Sequence, residues 1–300
     1  MHSQYFGIIY LKDIMEEDLG FLEKLTIAGC ENVSDEFGHQ VFQVSSPHAL
    51  MQAVGYLKYT ANPWERIYMR GQASLYEQLS PTLYRGIVSP TAQGKRHKKL
   101  NEIIKDFCNA SSLFKSIATY AREPLLQHYG VKTTWLDIVD NIWVALWFAT
   151  NRAYVAGDEN QYMHFAPREI SPVSKFAYII LIRTEEHRSN KSRKGLVIGN
   201  TTEVVDLRIA APSVFLRPHA QHGLLFRARG NEGGRLTDYQ NAIAGIIRFP
   251  LEAGKKWLGD GALLNTRALF PPPFYDDGYK ILLNVKHSER SLGVITHIGA

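Results

Sequence analysis

The sequence predicts an α+β protein, in which a helical first half packs on a mostly antiparallel sheet contributed by the second half. Three observations carry that prediction. Between residues 97 and 121, Leu100, Ile103, Ile104, Phe107, Phe114, Ile117 and Ala118 recur at helical spacing. Beyond residue 176 the apolar runs turn short and are divided by Gly, Pro and polar residues, as in FAYIILIR (176–183), VVDL (204–207) and Ile243 to Phe249. One strand-like run, Trp64 to Arg70, stands ahead of the helices. Helices and strands segregated along a chain make the α+β pattern.

The elements follow in order. Residues 5–11 read as a strand, 12–28 as an amphipathic helix, and His39 to Val44 as a second strand. Ser46-Pro47 opens a helix ending near Tyr59, with a capping serine followed by proline at the first helical position. Residues 1–60 form an N-terminal extension packed on a main domain of residues 61–300. Leu79 to Arg85 is turn-like around Pro81. The long helix 97–121 follows, and Gly130 ends its continuation at Leu125 to Tyr129. Thr133 to Asp137 reads as a short strand. Asp140 or Asn141 caps a helix reaching Arg152 whose residues Ile142 to Phe148 are all apolar, so it belongs to the core. Residues 155–172 read as a loop, 214–229 as a turn followed by a strand, and 251–257 and 262–270 as helices. The stretch 279–285 fits helix or strand.

Composition narrows the function classes. Hydrophobic residues make up 45%, enough for a sizeable core. Cys30 and Cys108 are far apart and match no metal spacing, as expected in a reducing compartment. No apolar window reaches the roughly eighteen residues of a membrane span, and acidic residues come too early for a secretory leader. A cytoplasmic protein without a membrane partner is expected. The formal charge is +5, with basic groups at Lys95, Arg96, Lys98 and Lys99 and at Arg188, Lys191, Arg193 and Lys194. That balance tolerates a polyanionic partner without requiring one.

Two constellations stand out. Arg70-Gly71-Gln72 closes a buried strand. An arginine there needs an anion, either Asp137 or Asp140 of the chain or an acidic group of a ligand, and Gly71 allows close approach. The stretch QHYGVKTTWLD (127–137) sets His128, Thr133, Thr134 and Asp137 in apolar surroundings, where each must be hydrogen-bonded. Arg217 to Gly223 (RPHAQHG) has two histidines beside a glutamine, but no spacing completes a metal site.

Together these pieces resemble the FRG domain family. Its Phe/Tyr-Arg-Gly tripeptide reads Met69-Arg70-Gly71 here, with Tyr68 adjacent, followed by Gln72. Leu79 to Arg85, Gln127-His128-Tyr129-Gly130, Thr133, Leu136-Asp137, and Ala145 to Ala149 continue the likeness. Arg217, Ala220-Gln221, Gly223, Phe226 and Leu269-Phe270-Pro271 complete it over about 64–280. The resemblance implies a bacterial or phage protein acting as a toxin or anti-phage defence effector. The order of Arg70, the helices, Thr133-Thr134 and Gln221 is similar to that of ADP-ribosyltransferases. That likeness implies an NAD-dependent transferase modifying a macromolecule, RNA or DNA among the candidates, with a neutralising protein partner. Arg70, Asp137 and Gln221 would then be catalytic. Arg70, Gly71, Gln72, Tyr129, Thr133 and Thr134 would hold NAD, and Glu203 is a second candidate for the carboxylate that faces the oxocarbenium-like sugar. The alternative is a non-catalytic interaction or sensor domain of a defence system.

Overall fold

The apolar run at 176–183 becomes the spine of the main sheet. Residues Ile179 to Ile182 are all buried because the strand is covered on both faces, so its pattern is continuous instead of alternating. The computed structural model describes residues 27–34, 40–157, 162–186, 193–230, 236–286 and 289–299. The expected strand 5–11 and nearly all of the helix 12–28 lie outside these residues.

Twelve strands are present among the described residues: β1 (Cys30–Ser34), β2 (Gln40–Val44), β3 (Glu65–Gln72), β4 (Leu136–Val139), β5 (Asn151–Ala156), β6 (Tyr162–Pro167), β7 (Phe176–Glu185), β8 (Leu196–Ile198), β9 (Thr202–Asp206), β10 (Gly223–Ala228), β11 (Ile243–Pro250) and β12 (His297–Gly299). Nine form one sheet in the order β1-β2-β11-β7-β3-β4-β10-β9-β8, antiparallel except where β2 joins β11. The other three form a small sheet, β12-β6-β5. The protein is α+β. The central strands β3 and β4 come from the first half of the chain, so the sheet is not built by the second half alone.

The helices are α1 (Pro47–Thr60), α2 (Pro90–Ala110), α3 (Ser112–Ser116), α4 (Thr119–His128), α5 (Ile142–Thr150), α6 (Leu207–Ala210), α7 (Leu216–Ala220), α8 (Leu251–Trp257), α9 (Thr266–Leu269) and α10 (Asp277–Leu283). Ser46 caps α1 by accepting from the Ala49 N–H, and Pro47 is its first residue, as the sequence predicts. Asn141, not Asp140, caps α5 through the Trp143 and Val144 amides.

The long helix expected over 97–121 is instead three helices. It starts earlier, at Ser89-Pro90, and breaks at Ser111, whose backbone turns extended and whose hydroxyl caps α3 through the Phe114 amide. The apolar period survives the break, which is why periodicity alone does not show it. The basic cluster therefore lies beyond the first turn of α2, away from the positive helix end. Two of its members are engaged, Arg96 with the Leu83 carbonyl and Lys99 with Glu289. The loop expected over 155–172 contains the end of β5 and all of β6. The strand expected at Thr133 begins only at Leu136.

Two of the three apolar cores among the described residues flank the same region of the main sheet. One gathers Ile67, Met69, Leu146, Trp147, Leu181 and Phe249 under α1, α5 and α8. The other gathers Leu100, Phe107, Leu125, Tyr129, Val205 and Leu225 under α2, α3 and α4. Contact of α5 with β3 is close. A Cβ on Gly71 would lie 2.0 Å from the Ala145 carbonyl oxygen, so only glycine lets the helix backbone down onto the strand.

Candidate functional site

A cavity of about 330 Å³ opens at the seam between these two cores. Met69, Val139 and Phe270 line it from one core and Tyr129 from the other. The small sheet contributes Ala153, Met163, Phe165 and Ile298 to the wall. Alternation along β6 places Met163 and Phe165 on the cavity side.

The sheet itself makes room at this point. Strands β3 and β4 pair only at Met69 and Val139. Beyond that pair, the Asp137 carbonyl accepts from Arg70 Nη1 at 2.7 Å, so a side chain takes the place of a further strand contact. Arg70 thus pairs with the main chain of Asp137, not with the carboxylate of Asp137 or Asp140 as expected. Its Nε is buried without a partner. Burial pulls the guanidinium below its ordinary range, and the nearby Asp137 charge opposes that shift.

The Asp137 carboxylate accepts from Gln127 Nε2 at 2.9 Å. Gln127 Oε1 in turn accepts from the Thr133 hydroxyl at 2.7 Å, and the Trp135 amide donates to that hydroxyl at 3.1 Å. Thr133 stands behind Gln127 and aims it, and does not line the cavity. Thr134 bonds Glu123 through both its amide and its hydroxyl. Gln72 faces a different, much smaller cavity beside Leu79 and Ile246. Gly71 borders the main cavity, but its lack of a side chain serves the packing of α5.

His128, at the end of α4, bonds Gln221 Oε1 through Nδ1 at 3.2 Å, while Gln221 Nε2 donates to the Leu269 carbonyl at 2.9 Å. That second bond orients the amide, so Nδ1 carries the proton and Nε2 is bare. Burial holds the imidazole below its ordinary pKa; Asp137 opposes and Arg217 adds to the shift, so His128 is neutral near pH 7. Gly223 packs against this ring; a Cβ there would lie 2.4 Å from Nε2.

Tyr129 is fully buried. Its hydroxyl donates to Asp276 at 2.7 Å, and burial drives its pKa well above the ordinary phenol range, with Arg217 opposing. Its ring lies against the guanidinium of Arg217, 4.3 Å from centroid to Cζ. Glu203 is held by Arg227 at 2.6 Å and is not part of the cavity wall. Among the described residues no group of three or more His, Cys, Asp or Glu could hold a metal ion. No helix among them is long and apolar enough to cross a membrane.

The structure therefore brings Arg70, Asp137, Gln221, Tyr129 and Gly71 to one cavity, and leaves Gln72, Thr133 and Thr134 outside its lining. It adds Gln127, His128 and Arg217. Residues 65–157 match the family model of the FRG domain. This segment is similar to the FRG domain. No curated protein and no solved structure matches it. The match supplies Arg70, Gln127, His128 and Asp137, whereas Arg217, Gln221 and Phe270 come from beyond it. The FRG segment thus carries most of the cavity lining and the later chain closes it. Two wall residues, Met163 and Phe165, escape a reading of 155–172 as loop. The alternation in YMHFAP was the available signal.

Proposed function

We propose that this FRG-like chain is a small-molecule binding domain, with the cavity at the seam of the two cores described above as the ligand site. The observation that supports this reading is the convergence of Arg70, Gln127, His128, Asp137, Arg217 and Gln221 on one cavity whose remaining walls are mostly apolar. A few fixed polar groups set in an apolar lining are the usual make-up of a ligand site, and about 330 Å³ sits at the low end of such volumes. This is the sensor or interaction module of a defence protein, and ligand occupancy is the signal it reads.

NAD-dependent transfer is the second reading. In its favour, Asp137 stands beside Arg70 and Gln221, where a carboxylate could face a sugar cation. Against it, Thr133, Thr134 and Glu203 are engaged elsewhere. A macromolecular target, nucleic acid included, belongs to this reading alone.

Thermal unfolding with a panel of small metabolites, NAD among them, separates the readings when run on the wild type and on Ala153→Trp, whose indole would occupy the cavity from β5. Protection in the wild type that disappears in Ala153→Trp is expected. Protection that survives the indole, or none by any compound, would sink the binding site. Release of nicotinamide from labelled NAD, abolished by Asp137→Asn, would select the transferase.

A further inference from the structure

We propose that Arg217 is the anchor for the acidic group of the cavity's ligand, and that the ligand is a small ring-bearing carboxylate or phosphate monoanion. This deepens the binding reading above and rests on it. Arg217 is only 1% exposed, yet only one of its three guanidinium nitrogens makes a well-formed hydrogen bond. Nη1 donates to the His128 carbonyl at 2.7 Å. Nε and Nη2 are buried and make none, with the Tyr279 hydroxyl as a looser neighbour of the guanidinium. Those two N–H groups share one edge of the guanidinium and run parallel, at the spacing of the two oxygens of a carboxylate or phosphate.

The rings around the guanidinium hold its plane. Tyr129 and Tyr279 lie 4.3 and 4.5 Å from Cζ, and Phe270 lies at 5.4 Å. These contacts and the His128 bond leave the planar group little freedom to turn toward another partner. The nearest buried carboxylate is committed to the main chain and a phenol. Asp276 Oδ2 accepts from the Tyr129 hydroxyl and the Arg217 amide, and Oδ1 accepts from the Tyr279 amide. A buried cation with an unmet donor edge is unfavourable unless something else supplies the oxygens.

The rest of the cavity limits what can carry that acid. Phe165 and Phe270 stack with centroids 4.5 Å apart, and Phe148 and Met163 extend the apolar wall, which suits a single ring. Asp137 adds a negative charge to the same cavity and disfavours a polyanion.

Three single-ring probes test this on the full chain at about pH 5, where phenylphosphate is a monoanion: benzoate, phenylphosphate and neutral benzamide. Calorimetric titration is expected to show benzoate or phenylphosphate binding at least about tenfold tighter than benzamide, because only the anions satisfy the fork. The stronger of the two anions names the acid. Arg217→Lys keeps the charge but lacks the paired edge, and should lose at least about tenfold in anion affinity. Benzamide binding as tightly as the anions would overturn the anchor while leaving the cavity reading in place, and this comparison needs no variant to fold. Unaltered anion binding by a folded Arg217→Lys protein would also overturn it. If neither the probes nor the metabolite panel bind, the binding reading itself falls, and the anchor with it.

Discussion

Asp137 and Asp140 stand three residues apart at β4, and their surroundings have opposite character. Asp140 is held on both oxygens by Arg208, at 3.3 and 2.9 Å, and accepts from His222 Nδ1 at 3.2 Å. Arg208 also grips Asp206 at 2.8 Å, and its hydrogen bonds to Asp206 first, then to Asp140, keep its guanidinium above the ordinary range. His222 adopts a left-handed backbone, φ 51°, within this cluster. Each donor there has an acceptor. On the Asp137 side, by contrast, Arg70 spends Nη1 on a carbonyl, the carboxylate has an amide for company, and Arg217 keeps two unpartnered nitrogens. A closed set of charges is scaffold. An open set beside a cavity is a candidate for ligand chemistry, and both arise from aspartates that look alike in the sequence.

The largest effect should come from β3, the strand that carries Arg70. Gly71→Ala drives a methyl group into the Ala145 carbonyl and should cost about 3 kcal/mol or more in urea unfolding. A cost below about 1 kcal/mol would mean that α5 can lift off β3, and that Gly71 serves a ligand instead. Next, Arg208→Met leaves Asp140 and Asp206 without their shared cation. A loss on the order of 2 kcal/mol is expected, from charge-assisted hydrogen bonds that are partly solvent-screened.

Arg217→Met is the sharpest test of the contrast. It removes a buried cation with two unmet donors and keeps the shape, so ligand-free stability should change by less than about 1 kcal/mol or rise. A loss as large as that of Arg208→Met would show that Arg217 is scaffold too.

The smallest effect is a pH dependence in the paired cluster. Burial, then Asp140 and Asp206, push the Tyr68 phenol up to about 12 from 10.0. The folded state favours the protonated phenol, so this stabilisation is intact below pH 10 and is lost as pH rises through about 12. Among the late tyrosinate signals, one titrating near 12 should be absent in Tyr68→Phe and shifted down in Asp140→Asn. A Tyr68 that titrates with the exposed tyrosines would undo the assignment.

Much of the fold is legible because its signals are local. Ser46-Pro47 starts α1, the run at 176–183 is a buried strand, and the all-apolar stretch after Asn141 can only be a core helix. Where a local signal was shared by two outcomes, the reading went astray. The apolar period of 97–121 runs through a break made by the Ser111 cap, and the alternation of β6 is short and flanked by loop residues. The site was legible in part. Arg70 and Asp137 could be named from residue type and setting and Gln221 from the family likeness, whereas Gln127 intervenes between Thr133 and the cavity through contacts visible only in three dimensions.

By itself the sequence determined the α+β class, the FRG segment, the burial of α5, and that Arg70 needs a partner, which it read as an anion. Those follow from periodicity, capping and the cost of burying charge, all properties of neighbouring residues. The tertiary structure alone decided which charges are closed and which are open. Arg70 meets Asp137 across 67 positions, Arg208 meets Asp140 across 68, and Arg217 meets His128 across 89. Pairing at such separations depends on how strands order in a sheet and how two cores meet, so an orphaned guanidinium edge exists only once the chain has folded.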